Sequence, residues 1–196
     1  MKRSLNSRQN TRRKTHPLVA TLFLMLTSAL FFTSSASAYT FDGGDLALKV
    51  NAGAGVNLLH ADVATKRTPG AGMLFTLDVD YAITGPLHVI ASVRPQASSN
   101  FVDLGVGAGI AYRVVQLEAP FVPYASAMVT PAFGVPFGHG DVHLNIGTRL
   151  GVGVDYFIMR QLFVGMELAV EGSLMAFPLL FPEITTEVLL GVGWRF

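Results

Sequence analysis

The sequence predicts an all-β protein, an eight-stranded antiparallel transmembrane β-barrel of up-and-down meander topology. Three observations lead there: long runs that alternate in polarity, glycine and charge gathered on one face of each run, and aromatic side chains at matching ends of alternate runs. The clearest run is Val142 to Tyr156. Successive side chains of a strand point to opposite faces, so Val142, Leu144, Ile146, Thr148, Leu150, Val152, Val154 and Tyr156 share one surface, and His143, Asn145, Gly147, Arg149, Gly151, Gly153 and Asp155 share the other. Strands of soluble sandwiches are about 5 to 6 residues long, whereas a tilted strand needs roughly 9 to 11 to cross the hydrocarbon of a bilayer. This run is long enough to cross.

Ahead of the strands, residues 1–38 have the layout of a secretory signal. Lys2, Arg3, Arg8, Arg12, Arg13 and Lys14 form a positive region, Leu18 to Phe32 an apolar one, and Ala36-Ser37-Ala38 a small-residue cleavage site. The apolar run falls short of the roughly 20 residues a membrane helix needs, so cleavage after Ala38 is expected, leaving 39–196 as one barrel domain. The whole chain carries 14 basic and 13 acidic residues. With six of the basic ones in the leader, the mature chain has 8 against 13, a net charge of −5, and no basic patch for nucleic acid. There is no cysteine, hence no disulfide framework.

The alternation then recurs along the mature chain. Leu46, Leu48, Val50, Ala52, Ala54, Val56 and Leu58 oppose Lys49, Asn51, Gly53, Gly55 and Asn57; Met73 to Ile83 places Asp78 and Asp80 on its polar face. Leu87 to Arg94 and Val102 to Arg113 follow the same rule, with His88, Ser92, Arg94, Asp103 and Arg113 on the polar side. Phe121 to Thr130 is strand-like, but its faces do not separate by polarity. After the run from Val142 come Leu162 to Glu171 and Ile184 to Phe196, with Glu167, Glu171, Glu187 and Arg195 on the polar face. That makes about eight strands.

A soluble carrier barrel would turn its apolar face inward around a ligand. Here the polar face is mostly glycine and charge, a poor wall for an apolar pocket, so the apolar faces are expected to meet lipid and the charges to fill the lumen. Tyr81, Tyr112, Tyr156, Trp194 and Phe196 end alternate strands and form one membrane-interface girdle. The short links Thr84 to Pro86 and Ile158 to Gln161 fall on that side, taken as periplasmic; His60 to Gly72, Pro131 to Asp141 and Gly172 to Glu183 are expected as longer outer loops.

In this architecture the chain resembles the small outer-membrane β-barrels of Gram-negative bacteria, the superfamily of the OmpA membrane domain and OmpX. The sharpest piece is the ending Leu190-Gly191-Val192-Gly193-Trp194-Arg195-Phe196, which resembles the assembly signal read by the barrel insertion machinery. The resemblance implies a location in the bacterial outer membrane, with outer-membrane lipid, lipopolysaccharide and the barrel assembly machinery as partners. With no peptidoglycan-binding domain after Phe196, a cell-wall tether of the OmpA kind is not expected.

Candidate sites follow from the faces. Leu-Gly-Val-Gly occurs at 104–107, 150–153 and 190–193; a phosphate loop would lie between a strand and a helix, so these glycines are read as room for long lumen side chains. The lumen is expected to hold a charge network including Lys49, Asp78, Arg149, Glu167 and Glu187, with Arg149 beside Glu167, and with Glu187 and Lys49 flanking the closure. An eight-stranded barrel is only wide enough for its own side chains, so a charge-paired plug is favoured over a narrow ion path. His88 and Ser92 share a face but lie about 13 Å apart along one strand, too far for acyl-transfer chemistry. His139 and Asp141 are too few for a metal site. No catalytic residue, cofactor or metal is expected. Phe177, Leu180 and Phe181 make the last outer loop apolar, either as a recognition surface or because the flanking strands project further into lipid. The reading is therefore a non-enzymatic outer-membrane barrel with a structural or surface-interaction role and an unknown surface ligand. The alternatives are a narrow transport barrel for small, apolar compounds, similar to OmpW-type proteins, and a lipid-modifying enzyme.

Overall fold

The computed structural model describes residues 42–60, 71–98, 101–114, 120–137, 142–177 and 181–196. They form β1 (Leu46–His60), β2 (Ala71–Ala82), β3 (Leu87–Ala97), β4 (Phe101–Arg113), β5 (Phe121–Pro136), β6 (His143–Phe157), β7 (Leu162–Phe177) and β8 (Phe181–Arg195). Each strand pairs antiparallel with the next, and β8 pairs with β1 to close the barrel. Closure leaves no open sheet edge in the hydrocarbon, where an unpaired row of backbone groups could not be satisfied.

Burial alternates with the predicted parity. On β6, Leu150 is 60% exposed and Arg149 3%; on β8, Leu190 is 62% exposed and Glu187 3%. The outward set is apolar on every strand, from Val50 and Leu77 through Ile110 and Val152 to Val192, while lysine, arginine, aspartate and glutamate lie inside. Such an apolar belt would be untenable in water and matches a bilayer. Tyr81, Tyr112, Tyr156 and Trp194 face outward at the end where links 83–86, 114–120 and 158–161 close the strands. Phe196 N–H donates to Leu46 C=O at 2.8 Å at this same end.

β5 gains the faces that polarity could not assign. Val122, Tyr124, Ser126, Met128 and Thr130 point inward, and Phe121, Ala125, Val129, Phe133 and Val135 outward. Val122 and Met128 are apolar yet inward, and Ala125 gives the outer face little apolar bulk. The alternation of polarity is therefore absent although the alternation of burial is intact.

The expected long outer loops are corrected. β5 continues through Pro131 to Pro136, and β6 begins at His143, so that link is 137–142 rather than Pro131 to Asp141. β7 reaches Phe177 and β8 starts at Phe181, so Gly172 to Glu183 is ladder except for 178–180. The register makes this explicit: Ile146 opposes Leu174, and Leu174 opposes Pro182. Phe177 and Phe181 are thus strand ends, and Leu180 lies in the link outside the described residues. The predicted loop His60 to Gly72 shortens to 61–70, since His60 ends β1 and Ala71 and Gly72 open β2, and it too lies outside the described residues. Links 98–100 and 178–180 are no longer than 83–86, so loop length does not distinguish the two ends.

Prolines explain the difference. Proline lacks the ladder N–H and usually marks a strand edge or break, but here it falls where one ladder is already open. The β4–β5 pairing stops between Gly105–Ala132 and Ala108–Val129, leaving Pro131 paired only to Ile146 of β6. The β2–β3 pairing skips from Leu74–Gln96 to Leu77–Val93, leaving Pro95 paired only to Leu104 of β4.

Candidate functional site: the charged lumen

From the girdle end upward, the lumen begins with an apolar floor. Ala47, Val122, Phe157 and Phe163 pack together, the two phenylalanine rings 5.1 Å apart. Arg195 lies over the Phe157 ring at 5.6 Å and 3.8 Å from Asp45. Phe163 is only 1% exposed because Gly193 opposes it across the β7–β8 ladder, and a Cβ at 193 would collide with the ring.

Above the floor is a chain of charges drawn from β1, β6, β4, β2 and β3 in turn. Lys49 Nζ donates to Asp155 Oδ1 at 2.8 Å and to the Tyr124 hydroxyl at 3.0 Å. The Arg113 guanidinium bridges Asp155 and Asp80, and Asp80 Oδ1 meets His88 Nδ1 at 2.6 Å. The Tyr124 ring lies between two cations, with Lys49 Nζ 5.0 Å and Arg113 Cζ 4.9 Å from its centroid. Its hydroxyl donates to Glu167 Oε2 at 3.1 Å, linking this cluster to the next.

The upper layer is built on two arginines. Arg149 donates to Glu167 at 2.7 Å and to Glu187 at 2.8 Å; Arg94 donates to Glu187 and Glu171, both at 2.6 Å. Glu187 is therefore shared by both guanidiniums. Buried charges persist only when paired and hydrogen-bonded, and Ser126 and Thr130 supply further donors to Glu167 and Glu171.

The geometry places each predicted lumen residue. Arg149 meets Glu167 through a diagonal contact, since its ladder partner is Glu171. Lys49 and Glu187 do lie on the closing strands, but Lys49 opposes Gly193 and Glu187 opposes Gly55, and each takes partners elsewhere. Asp78 accepts from Asn51 at 2.6 Å, Ser92 at 2.6 Å and Thr76 at 3.1 Å, all of them neutral donors. The sequence does not single out Arg94, Tyr124 or the His88–Asp80 contact. Parity places Arg94 and His88 inside, but it carries no information about partners across the lumen.

Glycines make the expected room in all three Leu-Gly-Val-Gly repeats. A Cβ at Gly151 would strike Glu167 Oε1, one at Gly153 would lie 2.5 Å from Tyr124 Cζ, and one at Gly191 would strike Asn51 Oδ1. In the first repeat Gly105 has nothing closer than 3.4 Å, and Gly107 faces the flexible end of Met128 rather than a charged side chain.

Two spaces among the described residues, of about 30 and 40 Å³, lie in the lumen, each room for a few waters at about 10 to 15 Å³ of such volume per molecule. The lower one is lined by Lys49, Asp78, Asp80, Arg113, Tyr124, Arg149 and Glu167, the upper by Asn57, Asp103, Asn145, Glu171, Glu183 and Glu187. Arg94 borders both. His88 and Ser92 do not meet: His88 is held by Asp80 and the Gly85 carbonyl, and the Ser92 hydroxyl donates to Asp78. Among the described residues no group of three or more His, Cys, Asp and Glu converges to hold a metal. His139 and Asp141 lie outside the described residues.

No protein-family model matches the chain, and no curated protein does. Solved structures do. Neisserial surface protein A aligns at a TM-score of 0.62 and 16% identity, covering 78% of this chain and 99% of that one. The N-terminal β-barrel domain of Pseudomonas aeruginosa OprF aligns at 0.54 and 13%, covering 76% and 97%. The outer membrane protein OprG of the same species aligns at 0.53 and 11%, covering 82% and 99%. At these identities the likeness is one of architecture: the chain has the fold of the small eight-stranded outer-membrane barrels.

Proposed function

We propose that the protein is a bacterial outer-membrane barrel with a structural or surface-interaction role and no enzymatic activity, exported with residues 1–38 removed. The observation that carries this reading is the lumen itself: ion pairs from Lys49–Asp155 to Arg94–Glu171 run through it, and the two spaces left are separated at Arg94. A barrel filled in this way offers its outer wall and its rim rather than a channel. Its partners on this reading are outer-membrane lipid and lipopolysaccharide along the apolar belt. The assembly machinery would read the strand ending at Phe196.

A second reading has one observation in its favour. Arg94, which shares Glu187 with Arg149, lines both spaces, so its movement would join them, and a narrow transport path would then need only the Phe157–Phe163 floor to open. Charged side chains line both spaces, in the lower one beside Ile90, Met128, Phe163 and Leu189, and the charges support passage of small ions. Planar-bilayer recording of the folded protein separates the readings: the plugged barrel is electrically silent, and resolved single-channel steps in the unmodified protein would overturn it in favour of transport.

A further inference from the structure

At the mouth away from the girdle, three buried side chains carry a polar atom that makes no hydrogen bond. They are Asp103 Oδ1, His143 Nδ1 and Asn145 Oδ1, on residues 7%, 3% and 8% exposed. Buried polar atoms are nearly always satisfied, so the two oxygens, on the strands that flank β5, call for an explanation. His143 and Asn145 are successive inward residues of β6, about 7 Å apart along the strand. Asp103 reaches them from β4 across Gly134 of β5, where a Cβ would collide with both Asp103 Oδ1 and His143 Nε2.

His143 Nε2 and Asp103 Oδ1 are 2.9 Å apart, yet Asp103 Oδ1 receives no hydrogen bond. A separation of about 3 Å between a nitrogen and an oxygen donor is what two adjacent positions around one metal ion give, at bond lengths of about 2.0 to 2.2 Å. The Phe101 ring packs edge-on against His143 at 5.6 Å and fixes its plane. Asp103 and Asn145 both line the upper space, whose carboxylates Asp103, Glu171, Glu183 and Glu187 outnumber its one guanidinium, Arg94. Such a mouth concentrates cations.

We propose that the mouth of the barrel holds a divalent transition-metal ion, of the Zn²⁺ class, bound through His143 Nε2 and Asp103 Oδ1 with the Asn145 amide oxygen as third donor; such an ion accounts for the two unbonded oxygens, not for His143 Nδ1. Imidazole with carboxylate oxygen suits Zn²⁺, Ni²⁺ or Cu²⁺, whereas Ca²⁺ and Mg²⁺ take oxygen ligands alone. The site requires no opening of the lumen, so it holds whether the barrel is plugged or conducts.

The test is calorimetric titration of the protein, folded in phosphatidylcholine vesicles, with ZnCl₂. The expected result is saturable one-to-one binding that millimolar Ca²⁺ does not displace. His143→Gln and Asp103→Asn should each weaken it at least tenfold, and Asn145→Asp, which adds a carboxylate, should tighten it. Folding of each variant is followed by gel mobility with and without heating. Absence of saturable binding by the unmodified protein would overturn the proposal. So would binding that persists unweakened in either folded variant, because the metal would then be on other histidines. If His143→Gln fails to fold, the Asn145→Asp result decides: weaker or unchanged binding there also overturns it.

Discussion

Arg149 and Leu150 are neighbours in the chain and occupy different solvents, at 3% and 60% exposure. Arginine at 150 would face mid-bilayer lipid, a cost of roughly 2 to 4 kcal/mol in this class of barrel. Small inward changes divide according to the space available. Gly105→Ala meets nothing closer than 3.4 Å and should be near neutral, whereas Gly153→Ala meets the Tyr124 ring and the Met166 carbonyl at 2.7 Å and should cost about 1 to 3 kcal/mol as overpacking. Urea titration in vesicles ranks the three; Leu150→Arg unfolding at the wild-type midpoint would mean that this face does not meet lipid. The Arg149–Glu167 contact makes a second prediction. Arg149→Met strands Glu167 and removes one of the two guanidiniums on Glu187, at a cost of roughly 3 to 5 kcal/mol, so Glu167→Gln should cost less on that background than alone. Strict additivity in the double-mutant cycle would show that the two charges are not coupled.

At the scale of the strand, parity makes most of the barrel readable, because a bilayer outside and charge inside give each strand two chemically distinct faces. β5 escapes because Val122 and Met128 turn apolar side chains inward while Ala125 gives the outer face little contrast. The mouth misleads because Phe133, Leu174 and Pro131 lie in stretches that read as loop, when their apolar character and their ladder partners extend the wall. Cross-lumen partners such as Arg94–Glu171 stay hidden, since they join residues 77 apart in sequence through barrel closure rather than local spacing. The extended β7 and β8 predict that amides of 174–177 and 183–185 exchange slowly, as ladder groups do. Exchange there as fast as in an unstructured peptide would restore the loop reading, and with it the recognition surface around Phe177 and Phe181.

For the molecule as a whole, the interior charge is unbalanced. Among the described residues, Asp78, Asp80, Asp103, Asp155, Glu167, Glu171, Glu183 and Glu187 face the lumen with Lys49, Arg94, Arg113 and Arg149, an excess of four carboxylates when the histidines are neutral. Arg94 borders both spaces and ties Glu171 to Glu187, so Arg94→Ala removes the side chain they share and deepens the excess to five. The barrel should survive the change, because Glu187 keeps Arg149 and Glu171 keeps the Thr130 hydroxyl. Low-dielectric walls around a net negative lumen admit cations and repel anions. Planar-bilayer recording of Arg94→Ala should therefore show small steps where the unmodified protein shows none, with a reversal potential in a KCl gradient set by K⁺. Steps that reverse at the Cl⁻ potential would contradict the charge assignment, and continued silence from the folded variant would place the barrier in other side chains, the Phe157–Phe163 floor first among them.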